Sequence, residues 1–208
     1  MQLDFTHLPS LPTLIKTFGY PLVWLIVFAE SGLLVGVLLP GDSLLFVAGF
    51  LCSVPNTPLN IFVMAFGCFA AAVLGDSFGY YSGKKWGRKL FEKPDSKIFK
   101  KKHLLAAEEF FDRKGKIALI LARFMPFVRT FAPIVAGIAA MRYKTFITYN
   151  VAGGFIWAIG LSFLGYFIGG AIPPEQLDHY LIPITLLIMF ISLSPSIFHL
   201  WKARQEGK

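Results

Sequence analysis

Two arginines, Arg123 and Arg129, sit inside an apolar run that extends from Ile117 to Met141. A guanidinium in hydrocarbon is costly and cannot escape by losing its proton. Two prolines, Pro126 and Pro133, interrupt the same run. An internal proline removes a helical hydrogen bond and kinks or breaks the chain. Irregular, charged backbone at membrane depth is tolerated only where protein or a water-filled cavity surrounds it. The stretch therefore reads as a re-entrant hairpin lining a polar cavity. Arg123 and Arg129 are offered to an anion, with the turn deepest at Arg129, between the prolines. The competing reading is a snorkelling side chain with its head at the interface, and it suits Arg123 better than Arg129.

Acids occupy a second broken run. Tyr20 to Leu51 is apolar but carries Glu30 and Asp42, and Leu39-Pro40-Gly41-Asp42 is a turn signal in its middle. The nine residues from Ser43 to Leu51 are too few to cross a bilayer as a helix. The run reads as another hairpin, with Asp42 able to cap a helix that begins at Ser43. Crossing instead of re-entry is the alternative for this run. Asp76, within Gly75-Asp76-Ser77-Phe78-Gly79, lies near the end of a further apolar run. Carboxylates and guanidiniums confined in one cavity can pair, which lowers the cost of holding either. An entering phosphate could then displace a carboxylate from arginine, and the released carboxylate could take a proton. A static ion-pair network that only fixes the fold is the other account of the same residues.

The elements that must hold these groups are membrane helices. The chain has 208 residues, 55% of them hydrophobic, and a mean hydropathy of +0.62, above a soluble domain's usual ~45–50% apolar share. Asp42 and Asp76 enclose 33 residues without a charge, Lys144 and Glu175 enclose 30, and Leu181 to Trp201 contains no Asp, Glu, Lys or Arg. Each run meets the ~18–20 residues a bilayer crossing needs. Spanning helices are expected over Leu59 to Ser82, Phe146 to Gly170 and Leu181 to Leu200. Residues 1–19, with Pro9 and Pro12, are expected to form an interfacial segment rather than a cleavable signal, because no basic stretch precedes an apolar core.

Lys84 to Lys116 holds 12 of the 20 Lys and Arg residues against five acids, so it carries +7 of the chain's +8. The excess of Lys and Arg places this segment on the cytoplasmic face, against anionic headgroups, with an amphipathic helix from Ile98 to Phe111. No aromatic interleaving or reading motif accompanies the charge, so nucleic acid is not expected as a partner. Basic residues flank the arginine hairpin on both sides, which favours re-entry over crossing. Residues 173–178 form an acidic outer loop, and Lys202, Arg204 and Lys208 end inside. Cys52 and Cys68 have no metal-ligand spacing and read as packed small residues.

Three local similarities recur at nearly one offset. Pro40 and Pro126 are 86 apart, Ala48-Gly49 and Ala136-Gly137 are 88 apart, and Gly79-Tyr-Tyr-Ser-Gly83 and Gly165-Tyr-Phe-Ile-Gly169 are 86 apart. They suggest two copies of one unit, a hairpin followed by a spanning helix. The charge rule runs the first spanning helix inward and the second outward, so the copies are inverted, with the N-terminus outside. Lys16 speaks weakly against that side. Inverted repeats with broken helices meeting near the midplane are a transporter architecture. The expected fold class is an all-α polytopic membrane protein. It consists of repeat one (20–83), the basic segment (84–116) and repeat two (117–170), then the outer loop, a C-terminal spanning helix and a basic tail (171–208).

Glu30-Ser-Gly, Leu39-Pro-Gly-Asp-Ser-Leu-Leu, Gly75-Asp76, Gly-Tyr-Tyr-Ser-Gly and Arg123-Phe-x-Pro-x-x-Arg129-Thr-x-x-Pro-x-x-Ala-Gly closely resemble the DedA family. That family is also described as SNARE-associated or VTT-domain membrane proteins, and the resemblance runs from about Phe18 to Gly170. It implies two opposed re-entrant hairpins in a bacterial cytoplasmic membrane. It also implies lipid translocation: return of undecaprenyl phosphate, movement of phosphatidylethanolamine, or phospholipid scrambling in eukaryotic relatives. The family's two essential acids and two arginines fall on Glu30, Asp42, Arg123 and Arg129. Pro40, Gly41, Asp76, Pro126, Thr130 and Pro133 stand as supporting residues.

A flippase is therefore expected, with Arg123 and Arg129 on the phosphate and Glu30 and Asp42 in proton coupling or gating. The partners are membrane lipids. No cofactor or metal is expected, and H+ or Na+ would be the coupling ion. A cation-coupled small-solute transporter uses the same acids. A lipid-modifying enzyme is the weaker alternative, since His7, His103, His179 and His199 all lie outside the hairpins.

Overall fold

The computed structural model describes residues 11–33, 41–87, 117–173 and 183. The Leu39-Pro40 part of the first turn, the helix expected over Ile98 to Phe111, most of the outer loop, the C-terminal helix and the basic tail lie outside the described residues. Regular structure among the described residues is helical throughout.

Helix α1 (Leu11–Gly32) contains a break at Gly19, whose φ of 60° and ψ of −146° suit a residue without a Cβ. Helix α2 (Gly41–Ser53) follows. Helix α3 (Ile61–Ser82) starts at Asn60, whose side-chain oxygen accepts from the amides of Phe62 and Val63 at 2.9 and 3.3 Å. A π-helical turn, Gly83–Gly87, extends it, so the rod runs Ile61–Gly87 over 27 residues. After the undescribed basic segment come α4 (Ile117–Ala122) and α5 (Pro126–Ile138). Helix α6 (Tyr143–Gly154), a π-helical turn Phe155–Ile159 and α7 (Gly160–Ala171) form a second rod, Tyr143–Ala171, of 29 residues. At 1.5 Å per residue each rod is about 40 Å long, enough for the ~30 Å hydrocarbon layer. The rods cover the spanning segments expected at Leu59–Ser82 and Phe146–Gly170. Helices α2 and α5, with 13 residues each, reach only about 20 Å.

The apolar interior falls into two large clusters and a small one of Phe46 with Phe50. One large cluster gathers Val23 and Val27 of α1, Leu45, Ala48 and Leu51 of α2, Met64, Cys68 and Ala72 of α3, and Trp157 and Ala158 of the second rod. The other gathers Tyr80 at the far end of α3, Leu119 and Ala122 of α4, Ala132 and Ala136 of α5, and Phe146 of α6. Tyr80 and Phe146 stack at 4.7 Å, and the Tyr80 hydroxyl donates to the Met141 carbonyl. Cys52 and Cys68 are free and buried, as packed small residues should be.

The short helices dock backbone to backbone. A methyl group at Gly49 or Gly165 would strike the carbonyl of Ser162 or Phe46, so α2 lies directly on α7. A methyl group at Gly83 or Gly137 would strike the carbonyl of Ile134 or Tyr80, so α5 lies in the same way on the end of the first rod. The two contacts correspond. Phe46 and Gly49 match Ile134 and Gly137 (134 − 46 = 88; 137 − 49 = 88), while Tyr80 and Gly83 match Ser162 and Gly165 (162 − 80 = 82; 165 − 83 = 82). The glycine pentads read from sequence at an offset of 86 are thus shifted by four residues, about one helical turn, from the pairing that the contacts use. Gly75, Gly79, Gly83 and Gly87 of the first rod lie four apart, as do Gly165 and Gly169 of the second, so sequence similarity alone allows the slipped alignment.

Gly137→Ala should lower stability by about 1–3 kcal/mol, the usual cost of forcing a group into a packed interface. Gly160→Ala, where nothing lies within 4 Å of the added methyl, should not. Thermal unfolding in detergent compares the two.

Candidate functional site

The polar residues sit between the two large apolar clusters. Close packing brings α1 to α3 there: a methyl on Gly32 would meet the Gly75 backbone, and one on Gly75 would meet the Phe28 carbonyl. Glu30, at the end of α1, and Asp76, on α3, are thereby carried to the same level. Both are buried, Glu30 to 1% exposure.

Arg123 and Arg129 arrive from the turn and helix that follow α4. Arg123, Phe124 and Met125 form a tight turn, their amides bonded to the carbonyls of Ile120, Leu121 and Ala122. Met125 is extended, as the residue before a proline prefers. Pro126 then opens α5 at its first position, where its missing N–H costs nothing. Pro133 lies inside α5 without ending it. The turn therefore falls at Arg123, and Arg129 stands one turn inside a helix. This corrects the expectation that Arg129 occupies the deepest point of a bend between two chain-breaking prolines. A proline at the first helical position starts a helix rather than interrupting one.

The charged groups form two linked centres. In the first, the Arg129 fork spans both acids of the other run: Nη2 donates to Glu30 Oε1, and Nη1 donates to Asp42 Oδ1 at 2.6 Å. Glu30 Oε1 also accepts from the Gly41 amide at 3.2 Å. Glu30 thus supplies the cap on α2 that the sequence assigns to Asp42. The helix begins at Gly41 rather than Ser43, and the Asp42 side chain turns to Arg129 and to Trp157, whose Nε1–H donates to the same Oδ1 at 2.7 Å. Thr130 Oγ1 donates to the Glu30 carbonyl at 3.4 Å. Because Gly41 lies against the Glu30 carboxylate, a methyl group there would occupy its place. Gly41→Ala should push the carboxylate off Arg129 and lower stability by about 1–3 kcal/mol, read by thermal unfolding against the parent.

In the second centre, Arg123 Nη2 donates to Asp76 Oδ2 and, at 2.5 Å, to Asn150 Oδ1. The Asn150 amide is oriented in turn by its bond to the Val73 carbonyl at 3.1 Å. Arg123 is 5% exposed, and Asn150 is equally enclosed. The first centre is more open, with the Asp42 side chain 17% exposed. The ring of Trp157 faces both cations, 5.0 Å from Arg129 and 5.8 Å from Arg123. A small pocket, with room for about one water molecule, is lined by Asp76, Arg123, Arg129, Pro133, Phe146 and Asn150, so both arginines border it. Glu30 Oε2 and Arg129 Nε have no hydrogen-bond partner among the described residues.

The structure thus brings Glu30, Asp42, Arg123 and Arg129 together, with Gly41, Asp76 and Thr130 bonded to them and Pro133 on the pocket wall. Pro126 acts through the backbone, and Pro40 lies outside the described residues. Asp76 is a full ionic partner rather than an accessory. Asn150 and Trp157 escape the sequence reading. An amide in an uncharged spanning run is a usable signal for the first. An aromatic in an apolar helix reads as packing, so nothing marks the second.

Known proteins resemble this chain over most of its length. The family model described as "VTT domain" matches residues 39–167. The chain is 40% identical to Protein DedA of Escherichia coli (strain K12) over 201 residues, covering 97% of this chain and 90% of that protein. It is 43% identical over 190 residues to an uncharacterized membrane protein of Mycobacterium tuberculosis (90% and 82%). It is 31% identical over 185 residues to another from Synechocystis (85% and 79%). No solved structure matches. With its two rods long and apolar enough to cross a bilayer, the chain belongs to the VTT-domain, or DedA, family of membrane proteins.

Proposed function

We propose that this protein is a lipid flippase that carries a phosphate-bearing lipid head, undecaprenyl phosphate or a related anionic lipid, through the cavity between two re-entrant hairpins. The observation that carries this reading is that two buried guanidiniums, each held by carboxylates of other segments, line one cavity. Helices α2 and α5 are too short to cross and follow breaks in apolar runs, which supports re-entry. Their matching glycine contacts with the two rods support an inverted repeat. The exposed Lys84 and Lys85 at the end of the first rod open the basic segment, which supports a cytoplasmic position for that end in a bacterial inner membrane.

The two arginines take different parts. Arg129 is the exchangeable cation. A phosphate entering from the open side displaces Asp42 and then Glu30, and the oxygens it brings satisfy the same fork. The released carboxylates are left facing each other, and a proton on one removes their repulsion, which links transport to a proton gradient. Arg123, closed in by Asp76 and Asn150, holds the cavity wall positive and keeps the phosphate at the end of α5. The acyl or prenyl tail stays in the bilayer, so a small cavity suffices.

Vesicles containing the purified protein test this. Labelled polyprenyl phosphate should move between leaflets with the parent and remain chemically unchanged by mass spectrometry. Glu30→Gln should slow it by at least about tenfold, the weight of one hydrogen bond between charged groups. Equal rates for parent and variant would end the reading.

A further inference from the structure

We infer that the end of the first rod and the start of the second together form a binding site for the headgroups of anionic phospholipids, with Lys84, Lys85, Arg142 and Lys144 as its cations and Tyr81 and Trp86 as its anchors in the interface. The site lies apart from the ionic centres and does not depend on the flippase reading.

Three contacts bring the two rod ends to one level. A methyl group at Gly137 would meet the Tyr80 carbonyl and the Lys84 amide nitrogen, so the last turn of α5 lies against the start of the π-helical turn Gly83–Gly87. The Tyr80 hydroxyl donates to the carbonyl of Met141, the residue before Arg142. The rings of Tyr81 and Tyr143 stand 5.2 Å apart, and the Tyr143 hydroxyl donates to Ser77 Oγ at 3.4 Å, which fixes its ring against α3. Lys84 and Lys85 follow Tyr80 and Tyr81 by about one turn, while Arg142 and Lys144 flank Tyr143. All four cations are exposed.

Charge selects the occupant. The acids among the described residues are Glu30, Asp42 and Asp76, and all three are bonded to Arg123 or Arg129. The four cations therefore meet no described acid. The chain that continues from Trp86 to Lys116 holds 12 − 2 = 10 Lys and Arg residues against five acids, so it repeats the sign of the patch rather than complementing it.

The order of residue types along the rod makes that occupant a lipid. Leu74 and Phe78 are exposed hydrocarbon, Tyr81 and Trp86 are each about half exposed, and the lysines stand at the end. The Lys85 ammonium lies 5.4 Å from the Trp86 ring. Tyrosine and tryptophan favour the headgroup level of a bilayer, with an apolar body and a polar tip. Apolar, aromatic and cationic layers thus succeed one another as acyl chain, interface and phosphate do. A soluble phosphate meets only the last layer, whereas a phospholipid meets all three.

The test places the full-length protein in phosphatidylcholine nanodiscs that hold a small, equal fraction of a chain-brominated lipid, phosphatidylglycerol in one preparation and phosphatidylcholine in the other. Bromine quenches indole emission on contact, and subtracting the emission of Trp86→Phe, made in each background, isolates the Trp86 signal. In the parent that signal should report a local preference for phosphatidylglycerol of at least about fivefold, the share of one cation near an anionic surface. Lys84→Gln, Lys85→Gln, Arg142→Gln and Lys144→Gln together should make the two probes equal. Lys97→Gln, Lys100→Gln, Lys101→Gln and Lys102→Gln remove the same charge elsewhere in the chain and should leave the preference in place. Equal quenching by the two lipids in the parent overturns the proposal, and that measurement needs no patch variant to fold. A preference that survives loss of the four patch cations also overturns it, as does one lost equally in both fourfold variants, which assigns it to net charge.

Discussion

Arg129→Ala is expected to stop lipid movement and to lower the stability of the fold by about 3–5 kcal/mol, the penalty for leaving buried charge without its partner. The effect is large because one side chain serves two acids. Arg129 is bonded to Glu30 and Asp42 at once, and its removal leaves both carboxylates enclosed at the start of α2. Two further variants separate folding from function. Arg129→Lys keeps the charge but replaces a planar fork with a point donor, which cannot span two acids in the same geometry. It should fold and transport at least about tenfold more slowly, since a single bond to a charged group is worth ~1.5–3 kcal/mol. Arg129→Ala combined with Glu30→Gln and Asp42→Asn should recover much of the stability and none of the transport. Thermal unfolding and vesicle flux, measured on the same preparations, give both readings. Parental flux from the single alanine variant would remove Arg129 from the site.

Asp76→Ala should be equally severe for stability and for a simpler reason. Arg123 is 5% exposed, with Asp76 and Asn150 as its polar partners among the described residues. Without the carboxylate, a guanidinium that cannot lose its proton remains in an enclosed site, again at a cost of about 3–5 kcal/mol. Asp76→Asn keeps an acceptor and should cost less. Asn150→Ala removes one bond to Arg123 and frees the Val73 carbonyl, for about 1–3 kcal/mol. The expected order of melting temperatures is parent, Asn150→Ala, Asp76→Ala. If Asp76→Ala melts with the parent, Arg123 is held by something other than this pair.

The spanning rods are legible in the sequence because their signal is long and one-dimensional: thirty uncharged residues admit few alternatives in water or lipid. The broken runs that carry α2 and α5 are legible for the converse reason, since Arg123, Arg129, Glu30 and Asp42 cannot rest among acyl tails without partners. Partner choice is less visible. Both Arg129 and Arg123 had two or more acids within reach of any reasonable fold. What assigns Arg129 to Glu30 and Asp42, and Arg123 to Asp76, is the contact of Gly32 with Gly75 and of Gly137 with Tyr80, and glycine spacing alone permits a slip of one turn. Pro126 shows how a local rule can mislead. The residue type announces a discontinuity, but only its position relative to the following helix tells whether it breaks one helix or begins the next. Trp157 is invisible for a plainer reason: aromatic rings are abundant in this chain, and one hydrogen bond from an indole has no sequence signature.

The division of the interior into two large hydrocarbon clusters with the ionic centres between them has a mechanical consequence. Interlocked aliphatic side chains resist separation at every ångström, whereas a plane held by a few directional bonds gives way once those bonds find substitutes. The weakest seam of the molecule therefore runs through its most polar level, and both rods cross it unbroken and keep the halves in register. On the flippase reading proposed above, a charged head loosens the protein just where it needs room, and neither large apolar cluster has to unpack to let it through.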